Sequence, residues 1–318
     1  MCGLYGFVYY GKKELKGAEK LLENLALEAM ERGIDATGYA FVHKGKIQID
    51  KAPKAAYQMK YSLPKNVHAV IGHTRAVTQG NAKFNYNNHP FKGKQGRTEF
   101  AFAHNGIIDN EFEIREEFGI KESKIQTDSY VVCQLMEKMK DFSMNSLKII
   151  GETVEGMFTF TFIDNRENLY IIKNDNPLTI LHFPTLQLYI YASTDEILFN
   201  ALTQWGSTKD EIIDKVIHGK KLIENIPCNK GDILIIHPNG KIERNKFKPK
   251  EKIWGLYNSY DYPLYDDEEY KELLAREALD EGITRDEFNR LLKIYSFEDV
   301  EYFIYTGRLY EEVINMGR

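Results

Sequence analysis

Cysteine is scarce in these 318 residues: Cys2, Cys133 and Cys228 are odd in number, far apart and form no Cys-x-x-Cys pair. A zinc knuckle and a disulfide framework are therefore not expected, and a reducing compartment in which a free thiol survives fits better. No apolar run approaches the ~20 residues of a membrane span. Residues 1–11 put no Lys or Arg ahead of their apolar run, so a secretory leader is not expected. Positive charge is not in surplus: 42 Lys and Arg stand against 47 Asp and Glu, for a net charge of −5. That argues against nucleic acid or an anionic membrane as partner. There is no Gly-x4-Gly-Lys-Ser/Thr phosphate loop and no evident internal repeat. No metal and no cofactor is expected, and the expected location is cytoplasmic.

What is present suits a globular protein with a substantial core: 43% hydrophobic residues, including 20 Tyr and 18 Phe. Cys2–Tyr10 reads as a short apolar strand. Lys16–Glu31 reads as a helix, with Leu22, Leu25 and Ala29 on one face and Gly33 at its end. Gly38–His43 and Lys46–Ala52 are predicted to pair around Lys44-Gly45, and Val67–Thr74 to form another strand. Thr78–Lys94 reads as a long polar loop and Phe100–His104 as a strand closed by Asn105-Gly106. Helices are expected at Glu111–Phe118, at Asp128–Met139 with Thr127 as cap, and at Asn145–Val154. Four strand-like runs follow, Phe158–Asp164, Leu169–Lys173, Leu178–His182 and Leu188–Ala192. Short helices are expected at Thr194–Gln204 and Lys209–Gly219, then a hairpin of Asp232–His237 and Lys241–Arg244 around Pro238-Asn239-Gly240. Strands, then helices, then strands predict an α+β fold with antiparallel sheets, not repeating βαβ units. Composition changes near Phe247, so residues 1–247 are taken as one domain. Residues 248–318 are taken as a Tyr- and Asp-rich linker, Tyr257–Asp267, and a small helical extension over Glu268–Asp280, Thr284–Tyr295 and Ser296–Tyr305.

The chemistry starts at Cys2. If Met1 is removed, a thiol and a free α-amine belong to one residue, which then carries both nucleophile and base. The amine's ordinary pKa of roughly 7.7–8.0 lies near the ~8.5 of a thiol, so proton exchange between them is close to balanced. Attack on an amide also needs oxyanion donors and groups that hold the substrate's ends. His104-Asn105-Gly106 offers a side-chain amide and an unshielded backbone N–H. Arg75, ending Gly72-His73-Thr74-Arg75, suits a carboxylate, and Asp128 suits an ammonium. Arg32 can point toward the site, with Asp35 fixing it, and Asn87-Asn88-His89-Pro90-Phe91 ends a loop that can fold over it. Taken singly, each has an ordinary structural reading: a buried Cys in a first strand, an Asn-Gly turn, a surface Arg, a helix-capping acid.

Together, Met-Cys-Gly, Arg-Gly-x-Asp-Ala-Thr-Gly, Gly-His-Thr-Arg, Asn-x-His-Pro-Phe, His-Asn-Gly and Thr-Asp-Ser occur in an order that resembles the glutaminase domain of class II glutamine amidotransferases. These are a branch of the N-terminal nucleophile hydrolases; glucosamine-6-phosphate synthase and amidophosphoribosyltransferase carry similar domains. The resemblance covers roughly residues 2–245. It implies a four-layer αββα sandwich, here with a small C-terminal helical appendage, and hydrolysis of L-glutamine. Cys2 would be the nucleophile, Asn105 and Gly106 the oxyanion donors, and Arg75 and Asp128 the clamp on glutamine's carboxylate and ammonium. Thr78 and His89 would line the substrate pocket, and Arg32 would lie near Cys2. Two departures stand out. Ala76 follows the Arg where the synthase has an aromatic residue, and Gln79-Gly80 replaces a His-Gly. No acceptor domain is recognisable after residue 245, so the expected partner is a separate acceptor-binding synthase subunit. Two other readings remain open: a different N-terminal-nucleophile amide hydrolase, and a catalytically silent module that binds glutamine or a partner.

Overall fold

Every residue of the first strand, β1 (Gly3–Tyr9), is buried, and the alternation of a strand decides which way each side chain goes. Leu4 and Val8 enter a core between two sheets, whereas Tyr5, Phe7 and Tyr9 enter a core beneath helices. A strand apolar on both faces belongs at the centre of a layered protein. The computed structural model describes residues 2–77, 79–205, 223–250, 267–280, 282–295, 297, 300, 303–304 and 309–316. The chain divides into two compact units, Met1–Lys252 and Ile253–Arg318.

In the first unit, the described strands are β1, β2 (Ala36–His43), β3 (Lys46–Ala52), β4 (Ala69–Arg75), β5 (Phe91–Gln95), β6 (Thr98–Ile108), β7 (Gly156–Asp164), β8 (Leu169–Lys173), β9 (Thr179–Phe183), β10 (Leu188–Ala192), β11 (Glu224–Asn225), β12 (Asp232–Ile236) and β13 (Ile242–Lys246). They form two sheets, ordered β11-β9-β10-β1-β4-β2-β3 and β13-β12-β8-β7-β6-β5, with antiparallel pairing throughout. Small and aliphatic side chains fill the space between them, among them Leu4, Ile71, Ala101, Ala103, Ile163 and Leu234. The outer face of the first sheet is covered by α1 (Ala18–Glu28) and α5 (Asp195–Trp205), through Leu22, Leu25, Ile197 and Leu198. The outer face of the second is covered by α2 (Glu111–Glu117), α3 (Tyr130–Lys138) and α4 (Met144–Thr153), whose apolar stripes meet Phe100, Phe102, Phe158, Phe160 and Phe162. The result is an α+β sandwich of four layers, αββα.

Several local expectations are corrected. β6 does not end at His104: it runs to Ile108, with Asn105 opposite Thr159 and Gly106 opposite Phe158 on β7. The predicted loop over Thr78–Lys94 contains a 3₁₀ turn at Asn85–Asn87 and the start of β5. The first helix is shorter than expected, and its last turn tightens to 3₁₀ over Ala29–Arg32. Thr127 does not cap α3, because its hydroxyl donates to the Asn87 carbonyl at 2.8 Å and Ser129 holds the cap position. The predicted helix at Lys209–Gly219 lies outside the described residues, as do nearly all of the Tyr257–Asp267 connector and much of the Ser296–Tyr305 helix.

The second unit has its own small core, in which Leu274, Ala275, Ala278, Phe288, Leu291 and Val300 are buried together. Its helices include Asp267–Asp280, Arg285–Leu291 and Leu309–Met316. The Thr284–Glu287 capping box forms as read from the sequence. The helix at Leu309–Met316 was not anticipated.

Candidate active site

Strand parity brings the expected chemistry to one place. On β1 the even positions face the other sheet, on β4 the odd ones do, through Ala69 and Ile71, and on β6 so do Ala101 and Ala103. Extending the same alternation places Cys2, Arg75 and Asn105 on the inter-sheet side. Gly3 pairs with Thr74, so Cys2 and Arg75 sit at the same end of neighbouring strands. The two sheets are tied there, because His73 Nε2 meets the His104 carbonyl at 2.9 Å.

The Cys2 sulfur is 3.5 Å from the Ala76 carbonyl, to which the thiol donates, and the Cys2 carbonyl accepts Arg32 Nε–H at 2.8 Å. Burial pushes the Cys2 thiol up from its ordinary value; the Ala76 backbone and the Arg75 charge act in the opposite direction. Arg75 and Asp128 feel the same neighbourhood: each is perturbed first by burial, and each also by the other's charge. Cys2, Arg75 and Asp128 thus form one electrostatically linked group.

Arg75 is 2% exposed. Its Nη1 donates to Asn88 Oδ1 at 2.7 Å, and its Nη2 donates to the carbonyls of Gln79 and Gly80. The carboxylate of Asp128 is fixed by N–H groups of Ile108 at 2.8 Å and Ser129 at 2.6 Å, and by the Ser129 hydroxyl at 3.0 Å. Because that hydroxyl is committed to Asp128, the 2.7 Å contact between Ser129 Oγ and His104 Nδ1 requires the proton on Nδ1.

Asn105 is fully buried, yet neither its amide nitrogen nor its amide oxygen has a partner among the described residues. Its carbonyl is held by Asn176 Nδ2 at 2.7 Å. A buried side-chain amide left unpaired costs free energy, so such a group points to an unfilled role. Gly106 is fixed by geometry: its φ is +143°, and a Cβ there would lie 1.8 Å from the Met157 carbonyl.

The remaining expected residues are placed less directly. Arg32 reaches the Cys2 carbonyl. Asp35 instead pins the segment after Arg75: its carboxylate accepts Val77 N–H at 2.8 Å, and its N–H donates to the Arg75 carbonyl at 2.9 Å. Thr78 lies outside the described residues. His89 is 3% exposed and packs with tilted rings against His73 and Phe91, with ring centroids 4.2 and 4.4 Å apart. Asn87 and Asn88, expected in a covering loop, are fully buried and support the site from within. Their part, and that of Gln79, was missed in the sequence. The signals were the Asn-x-His-Pro-Phe motif that begins at Asn87 and the amide-bearing residues crowded into the same segment.

Two facing antiparallel sheets between helical layers, with a cysteine just ahead of the central strand, define a sandwich of the N-terminal nucleophile type. More particularly, the chain carries a glutamine amidotransferase domain of class II: residues 73–200 match the family described as "Glutamine amidotransferase domain". It is 31% identical over 243 residues to the glutamine–fructose-6-phosphate aminotransferase (isomerizing) of Bacillus subtilis strain 168, covering 74% of this chain and 38% of that protein. It is 35% identical over 191 residues to the enzyme of the same name from Fusobacterium nucleatum, covering 57% of this chain and 30% of that one. The chain thus spans well under half the length of these relatives. In fold it is similar to the glutamine phosphoribosylpyrophosphate amidotransferase of B. subtilis, at 17% identity and a TM-score of 0.59, covering 78% of this chain and 49% of that one.

Proposed function

We propose that this protein hydrolyses the side-chain amide of L-glutamine at Cys2 once Met1 has been removed. The Cys2 thiolate attacks the amide carbon, and the carbonyl oxygen takes up negative charge against Asn105 Nδ2 and the Gly106 N–H. The tetrahedral species collapses by breaking the C–N bond. Ammonia departs with the proton that the α-amine took from the thiol, leaving a γ-glutamyl thioester. Water then adds to the thioester, releasing glutamate and restoring the thiol. Arg75 receives the α-carboxylate and Asp128 the α-ammonium; Thr78 and His89 belong to the substrate pocket, and Arg32 steadies the Cys2 backbone.

The observation that carries this reading is the fully buried Asn105 carboxamide, without a partner among the described residues, on the inner face of the second sheet opposite the inner face that carries Cys2 and Arg75. A preorganised donor of that kind is worth about 10²–10³ in rate. Ammonia at neutral pH is mostly protonated and non-nucleophilic, so its use requires a dry route to an acceptor. We assign the acceptor to a separate protein docking near the Arg75–Phe91 segment. Exposed apolar side chains flank this end of the sheets: Ile34 (62%), Val77 (42%), Ile107 (37%) and Met157 (55%).

The test is glutamate release by protein whose intact mass shows loss of Met1. Cys2→Ala should abolish release; full activity in that variant, or in protein retaining Met1, overturns the mechanism.

A further inference from the structure

The buried Asn87–Asn88 pair lies behind both ends of the proposed clamp. Asn88 Oδ1 accepts from Arg75 Nη1 at 2.7 Å, and Asn88 Nδ2 is spent on the Ala82 carbonyl at 2.8 Å, which fixes which way its amide faces. Lys51 Nζ holds the Asn88 backbone by donating to its carbonyl and to that of Pro90 at 3.0 Å. Asn87 secures the other end. Its Oδ1 accepts Gln126 N–H at 3.0 Å, its Nδ2 donates to Gln126 Oε1 at 3.0 Å, and its carbonyl accepts the Thr127 hydroxyl. Both side chains are fully buried, so water does not compete for these bonds.

We infer that Asn88 is a positioning residue that aims the Arg75 guanidinium at the α-carboxylate of the amino-acid substrate and so sets glutamine affinity; this rests on the glutaminase reading above. Arg75 has five N–H donors. Asn88, Gln79 and Gly80 take three, leaving the Nε–H and one Nη1–H without a partner among the described residues. A neutral amide suits this task better than a carboxylate. It orients the guanidinium without cancelling its charge, whereas an Asp at 88 would give Arg75 an internal anion to compete with the substrate's.

The experiment compares steady-state kinetics on L-glutamine and on L-glutaminamide, in which the α-carboxylate is replaced by a neutral amide, for the parent, Asn88→Ala and Asn88→Asp, all with Met1 removed. Asn88→Ala should raise the glutamine KM about tenfold, the scale of one lost hydrogen bond to a charged group, with kcat changed far less. Asn88→Asp should raise it further. Neither should alter kcat/KM for L-glutaminamide. Titration of L-glutamate, which carries the same α-groups, should show the same order of weakening by calorimetry. If Asn88→Ala does not fold, Asn88→Ser takes its place under the same criteria. A glutamine KM within twofold of the parent overturns the inference, as does an equal loss on both substrates, which marks a general structural role. A parent that turns over glutamine while Asn88→Ala matches it sinks this inference alone; a parent that neither turns over glutamine nor binds glutamate sinks the glutaminase reading and this inference with it.

Discussion

Gln79 is bonded to Asp128 across the site: its Oε1 accepts the Asp128 backbone N–H at 3.2 Å, while its own carbonyl accepts from Arg75. One residue of the 75–80 segment therefore touches both members of the proposed clamp. The side-chain bond is at an exposed residue, where one neutral hydrogen bond is worth about 1 kcal/mol. Gln79→Ala should accordingly raise the glutamine KM about fivefold and leave kcat nearly unchanged. A large loss of kcat instead would assign Gln79 to the chemical step.

Asn105 should behave in the opposite way. Its amide, without a partner among the described residues, is proposed to meet charge that exists only in the transition state. Asn105→Ala is expected to lower kcat by about 10²–10³ with little change in KM, and Asn105→Asp, which sets a like charge beside the oxyanion, to lower it at least as far. Thermal unfolding should change little in the Ala variant, because no hydrogen bond described for the side chain is lost. If kcat holds within threefold in both variants, the oxyanion donor lies elsewhere.

Gly106 is where the sequence misled and the structure gives the reason. An Asn-Gly pair is a strong turn signal, and residue 106 does have the backbone of a special position, φ +143°. Yet pairing of Ile107 with Met157 and Ile108 with Gly156 carries the strand onward. Long-range pairing overrode local propensity. The same competition displaced Thr127, a sound local cap whose hydroxyl is taken by a residue 40 positions away. By contrast, features decided locally were legible: the all-apolar β1, the strands Leu169–Lys173 and Leu188–Ala192, and the Thr284–Glu287 capping box. β5 was legible but overlooked, since Phe91, Gly93 and Gln95 are buried while Lys92 and Lys94 are exposed, the period-2 pattern of a strand. Cys2, Arg75 and Asn105 could be named from their motifs. That they meet across the two facing sheets could be seen only once register and sheet order were known.

Gly106→Ala should therefore damage stability and activity together. A positive-φ site costs a non-glycine residue about 1–3 kcal/mol before any clash, and the Met157 carbonyl leaves no room for a methyl group. Melting should fall by several degrees for a unit of this size, with glutaminase activity reduced at least tenfold. An unchanged melting temperature would mean that Gly106 does not lie against the Met157 carbonyl as described.

Acid should destabilise the protein through three buried histidines. Burial lowers His73 and His104 to about 3 and holds His89 well below its ordinary value. In the folded protein all three are neutral at pH 5; in the unfolded chain they take up protons below about 6.5. The unfolded state thus binds more protons between roughly pH 6.5 and 3, so stability is full above that window and is lost as pH falls through it. Each histidine contributes at most about 1.4 kcal/mol per pH unit. His89 is the clearest probe, because neither ring nitrogen has a partner among the described residues and replacement by Leu breaks no hydrogen bond described for it. Urea unfolding of the parent at pH 7, 5.5 and 4.5 should show a steep decline, and His89→Leu should flatten it. A slope identical in parent and variant would show that His89 does not differ in protonation between the folded and unfolded states.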